Sequence, residues 1–172
     1  MSELRFAVDR MLGRLATWLR LLGYDATYGP HLTGPTLLRH ARAEQRIVLT
    51  RNTRLAQQRA TPPLHFVKAD TFREQLRDIV TTFGLDPRAR LLTRCCRCNH
   101  VLEPVLPAAV ADRVPPYVRD TQDRFVRCSA CRRVYWPATH DQRIRAELRA
   151  LGWDPNGPMP GGPASPSGNE TP

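Results

Sequence analysis

The stretch Leu4-Arg5-Phe6-Ala7-Val8-Asp9-Arg10-Met11-Leu12-Gly13-Arg14-Leu15-Ala16-Thr17-Trp18-Leu19-Arg20-Leu21-Leu22-Gly23-Tyr24-Asp25 decides the fold class. Its first five residues form a short apolar run whose β-branched and aromatic content suits a buried strand. From Leu12 onward, Leu15, Ala16, Leu19 and Leu22 recur at helical spacing and place one apolar stripe along a helix. Arg10, Arg14, Thr17 and Arg20 fall off that stripe. Gly23 stands where a helix stops, since glycine takes the left-handed conformation without steric cost. The order is strand, acid, helix, stop. Asp9 therefore sits at the carboxyl end of a first strand, where open α/β sheets place their ligands. It also occupies a preferred N-cap position, and this stretch alone leaves both roles open.

Working outward, the pattern repeats. Tyr24 to Tyr28 alternates as a strand and runs into Gly29-Pro30, a turn signal. A helix follows from Pro35 or Thr36 to about Glu44, and Arg46-Ile47-Val48-Leu49-Thr50 is the most strand-like run in the chain. Asn52 can cap a short helix containing Leu55 and Ala56. Leu64 to Val67 predicts another strand, and Thr71-Phe72-Arg73-Glu74 has capping-box spacing ahead of a helix ending at Gly84. Strands alternating with helices call for a mostly parallel sheet with right-handed crossovers. The expected organisation is an α/β domain over 1–88, a cysteine-bearing module over 89–150 and an unstructured Pro/Gly/Ser-rich tail over 151–172.

The formal charge of +10 points to a polyanionic partner, because neutralising phosphates with counterion release supplies most non-specific nucleic-acid affinity. Lys68 is the sole lysine; the arginine bias also follows from GC-rich codon usage, so only the net charge carries weight. No leader pattern precedes the first helix and no uncharged run is long enough to span a bilayer. The expectation is a cytoplasmic protein without a membrane partner.

Five cysteines cluster late in the chain. Cys95 and Cys98 form one Cys-x-x-Cys knuckle, Cys128 and Cys131 another, and 29 residues separate the two. Four thiolates suit a structural Zn²⁺ in tetrahedral geometry, with an iron–sulfur cluster as the less favoured occupant. Cys96 offers an alternative register, but Cys95 completes the two-residue gap. The insert exceeds the common ribbon spacing, which a longer hairpin would absorb. Arginines including Arg132 and Arg133 interleave with Phe125, Tyr135 and Trp136. Such a mixture either makes a stacking surface for single-stranded nucleic acid or packs a small core beside the metal. His100 and His140 are expected at the surface or beside the ligands rather than as ligands, since the thiolates already close the site.

Both halves together resemble the Mut-seven C-terminal RNase domain family, whose members join a PIN-like nuclease fold to a zinc ribbon. The carriers are Val8-Asp9 with Leu12 to Ala16 and Trp18 to Asp25; Glu44 with Arg46 to Arg51; Arg94-Cys95 with Cys98-Asn99; and Cys128, Cys131, Tyr135-Trp136 and Thr139-His140. The resemblance implies a metal-dependent ribonuclease in which Asp9, with Glu44 and with Asn52 at a position the family fills with an acid, positions Mg²⁺ or Mn²⁺; Asp70 and Asp25 are further candidate contributors, or else a residue before a helix cap and a loop acid. From charge and placement, Arg10, Arg14, Arg20, Arg51, Arg132 and Arg133 are the arginines expected to hold RNA, with single-stranded RNA the expected partner. The chain departs from the family where acids usually stand: it has Thr33-Gly34-Pro35 before the second helix and Asn52 after Thr-Arg. The alternative is therefore an RNA-binding protein that keeps the fold and ribbon but has lost its catalytic acids.

Overall fold

Alternation along β1 (Arg5–Val8) sets the layers, because successive strand side chains point to opposite faces. Phe6 and Val8 enter one apolar cluster and Ala7 the other. In the computed structural model, which describes residues 4–58, 62–137 and 139–154 and no side chains at 139–141, β3 (Ile47–Thr50) repeats the pattern. There Leu49 joins the first cluster and Val48 the second. With β2 (Asp25–Thr27) and β4 (Leu64–Phe66) these strands form a parallel sheet in the order β2-β1-β3-β4. The expected α/β class with a parallel sheet is observed.

Helices cover both faces. α1 (Gly13–Leu21) and α4 (Phe72–Thr82) bury Leu15, Leu19, Leu76 and Ile79 on one side. α2 (Gly34–Ala43) and α3 (Thr53–Ala56) bury Leu37, Ala41 and Leu55 on the other. Local signals hold where side chains make them. Thr71 and Glu74 form the reciprocal capping box, and the Asn52 side chain caps α3. Gly23 ends α1 at φ +86°, and a Cβ there would lie 2.1 Å from the Arg90 carbonyl oxygen, so no larger residue fits. Among the described residues no helix is long and apolar enough to cross a membrane.

From β1 the chain moves to one side to make β2, then crosses to the other side to make β3. Strand order thus reverses at β1, and the crevice beyond the carboxyl ends of β1 and β3 is the topological switch point.

The second module is an antiparallel sheet of β5 (Leu102–Val105), β6 (Phe125–Cys128) and β7 (Val134–Tyr135). Its long insert is not an extended hairpin. It folds into a 3₁₀ turn, Pro107–Val110, and α5 (Pro116–Thr121), and Val110, Val114 and Val118 pack with Phe125 and Trp136 in a small core of their own. Phe125 and Trp136 therefore serve packing.

α6 (Thr139–Ala150) revises the expected boundaries. Leu148 and Leu151 are buried in the α1–α4 cluster, Trp153 packs against it, and Glu147 pairs with Arg73 at 2.5 Å. The segment belongs to the α/β layer although the ribbon separates it in sequence, and the first four residues of the expected tail are part of the fold. Positions 155–172 of that tail lie outside the described residues.

Because Leu148 is fully buried in that layer, Leu148→Ala should cost about 2–5 kcal/mol in urea unfolding. A loss below about 1 kcal/mol, the range of surface changes, would contradict this placement of α6.

Candidate functional site

Asp9 follows β1 directly and lies at the switch point, 1% exposed. Its amide donates to the Leu49 carbonyl at 2.9 Å, which continues the β1–β3 pairing by one residue. It precedes a 3₁₀ turn, Arg10–Leu12, yet its side chain makes no capping bond. Instead Oδ2 accepts a 2.6 Å hydrogen bond from the hydroxyl of buried Thr50 at the end of β3. The Thr50 oxygen in turn accepts from the Asn52 amide at 3.0 Å. The capping role left open by the sequence is thus not the one Asp9 plays. Thr50 escaped the sequence reading, although a hydroxyl ending the strand beside β1 is a signal that topology supplies.

The other proposed acids do not gather at this point. Asn52 Oδ1 accepts from the amides of Arg54 and Leu55, so capping α3 occupies it. Asp70 does lie beyond the carboxyl end of β4, on the same sheet edge as Asp9, but it is largely exposed and held by Arg51. Glu44 is a correction. It precedes β3, whereas Asp9 follows β1, so in a parallel sheet the two occupy opposite edges. Glu44 instead binds Arg46 at 2.6 Å.

Arg46 also binds Asp25, the first residue of β2, through both carboxylate oxygens. Burial pushes the Asp25 carboxyl up, but hydrogen bonds from Arg46 and Asn99 outweigh burial and hold it below the ordinary carboxylate value. This cluster lies four residues of β1 away from Asp9 in register, about 13 Å. Its acids serve structure.

Cys95, Cys98, Cys128 and Cys131 bring their sulfurs within 4.8 Å of one another. Tetrahedral Zn²⁺ with bonds of about 2.3 Å spaces sulfurs about 3.8 Å apart, so the donor set fits one such ion. Each knuckle closes alike: the Asn99 amide donates to Cys95 O and the Arg132 amide to Cys128 O, both at 2.9 Å. Asn99 and Arg132 adopt φ +71° and +57° to do so, a conformation Asn tolerates well and Arg less well. Burial pushes the Cys95 thiol up, but the Tyr135 hydroxyl 3.0 Å away and the backbone at Cys98 and Arg97 bring it down to about 6. Tyr135 thus braces one of the four sulfurs. His100 is exposed, and the His140 side chain lies outside the described residues.

The first knuckle docks on the outer edge of β2. The Ala26 amide donates to Asn99 Oδ1 at 3.0 Å, and Ala26 O accepts from Arg20 Nε at 2.8 Å. Arg20 also donates to the carbonyls of Arg97 and Cys96 at 2.8 and 3.2 Å, and Asn99 Nδ2 donates to Asp25 at 2.7 Å. Arg20 is only 4% exposed, which corrects its expected RNA contact: it faces the ribbon across a polar seam. Of the other arginines, Arg10, Arg14, Arg132 and Arg133 are exposed, Arg14 lying 3.8 Å over the Phe72 ring, while Arg51 is tied to Ala69 O and Asp70.

Set against known proteins, residues 4–148 match a family model described as the Mut7-C RNAse domain. No curated protein and no solved structure matches the chain significantly.

The depressed Asp25 carboxyl fixes the sign of one acid effect. Its stabilisation is complete above the unfolded value of about 3.9 and is lost as pH falls through the lower folded value. Asp25→Asn should therefore destabilise by about 2–4 kcal/mol at neutral pH, and the gap between variant and wild type should close in strong acid. Parallel stability curves between pH 7 and the acid limit would contradict the pairing.

Proposed function

Since the chain belongs to the Mut7-C RNAse domain family, we propose that it is a divalent-metal-dependent ribonuclease acting on single-stranded RNA, with structural zinc in the ribbon. The observation that carries this reading is Asp9, a buried carboxylate at the switch point of a parallel sheet, with one oxygen fixed by Thr50. A buried acid there is costly unless partnered, and it lies where such sheets take ligands.

Among the described residues no second group of three His, Cys, Asp or Glu converges as the cysteines do. That donor set does not fit a two-ion cluster. It fits one hard ion held by Asp9 and completed by water and substrate phosphate, the way Mg²⁺ is often bound. Such an ion supplies an activated water and charge stabilisation at the departing oxygen. The chain's own contribution is to hold Asp9 in one orientation through Thr50, with Asp70 and Arg51 on the same edge and exposed Arg10 beside it. Exposed Arg10, Arg14, Arg132 and Arg133 are the arginines proposed to meet RNA.

A second reading, an RNA-binding protein without turnover, is favoured by the occupied Asn52 oxygen and by Glu44 on the far edge. One experiment separates them. Purified protein with one zinc per chain is incubated with single-stranded RNA and Mg²⁺ or Mn²⁺. Cleavage is expected, and Asp9→Asn should slow it about 100-fold or more, as loss of several kcal/mol of charge stabilisation implies, while RNA binding persists. Binding without cleavage in the wild type supports the second reading, and cleavage unaffected by Asp9→Asn overturns the first.

A further inference from the structure

The first knuckle does not lie flush along β2. Between it and the β2–α2 flank opens a cleft of about 730 Å³. Among the described residues, four arginines and three histidines line it and no aspartate or glutamate does. Not all of that charge is available to a ligand. Arg46 is answered by Asp25 and Glu44, and Arg20 is taken up by the carbonyls of Ala26, Cys96 and Arg97. What a ligand meets is chiefly Arg97 and His100 on the knuckle and His31 across from them, all three exposed.

Tyr28, 37% exposed, also lines the cleft. Its hydroxyl donates to the Arg10 carbonyl at 3.0 Å, and Arg10 follows Asp9. The Tyr28 ring also lies against Gly13, where a Cβ would be 2.5 Å from the phenol oxygen. Tyr28 is thus braced against the segment that carries Asp9 and joins that segment to the wall of the cleft. Donors from two separate segments along an open trough suit an extended chain of phosphates better than one small anion. An aromatic face suits an unpaired base, since bases within a duplex are already stacked.

We propose that this cleft is the track for the sugar–phosphate backbone of single-stranded RNA, with Arg97, His100 and His31 at phosphates and Tyr28 stacking a base beside Asp9. The proposal rests on the ribonuclease reading above and assigns that site its substrate path.

The test is equilibrium binding of a labelled single-stranded RNA of about 12 nucleotides, in magnesium-free buffer over a series of salt concentrations, to zinc-loaded protein. Arg97→Ala/His31→Ala should weaken binding about tenfold, and loss of the Arg97 charge should make the salt dependence shallower by about 0.7 in log–log slope. Tyr28→Leu should cost about tenfold, and Tyr28→Phe, which keeps the ring, should bind within about twofold of wild type. Arg124→Ala, an exposed arginine that does not line the cleft, should also stay within about twofold. If the double variant loses zinc, His31→Ala alone, remote in sequence from the cysteines, should still weaken binding about threefold.

Wild-type binding with unchanged affinity and salt slope in zinc-loaded cleft variants would overturn the track while leaving the ribonuclease reading intact. Absence of RNA binding by the wild type would overturn both. Tighter binding of a duplex of the same length would overturn the single-strand assignment.

Discussion

The free edge of β2 is the constraint around which the two modules are joined. An edge strand presents backbone donors and acceptors that must find partners when covered. Here Ala26 meets both needs through side chains: Asn99 accepts from its amide and Arg20 donates to its carbonyl. Asn99 can reach because the knuckle turns through it at positive φ, and Arg20 reaches onward to the carbonyls of Cys96 and Arg97. The turn that closes the cysteine site and the turn that covers the sheet are therefore the same turn. A metal held by Cys95 and Cys98 would therefore also stabilise the edge of the α/β domain.

This arrangement divides the acidic residues by edge. At the amino edge Asp25 and Glu44 neutralise Arg46, and Asp25 also holds Asn99, so those carboxylates belong to the seam. At the carboxyl edge Asp9 is buried with Thr50, while Asp70 lies out on the rim with Arg51. On the proposed reading, a site with one buried acid would need water and substrate phosphate to complete an ion's coordination. The proposed catalysis would couple ion binding to RNA binding, which is why the cleft walled by Tyr28, hydrogen-bonded to the residue after Asp9, matters to it.

Much of this is legible in sequence because it depends on local chemistry. The alternation of β1 and β3, the stripe of α1, the stop at Gly23, the Thr71–Glu74 box and the paired cysteine knuckles all follow from neighbouring residues. Arg20 misleads because its helical position marks it only as off the apolar stripe; that the face it occupies meets a polar seam depends on a module more than 70 residues away. Glu44 misleads for a different reason. A residue before a parallel strand and a residue after another lie on opposite edges, so topology alone separates Glu44 from Asp9. The return of α6 to the α1–α4 layer leaves no local signal, since Leu148 and Leu151 suit any apolar partner.

The central claim is that the knuckle closes the sheet edge through Asn99, and the Ala26 amide reports on it directly. Hydrogen exchange at that amide should be slow in metal-loaded protein and should accelerate, selectively against the amides of β1 and β3, once a chelator removes the metal. Equal protection of Ala26 with and without metal, in protein that stays folded, would contradict the account.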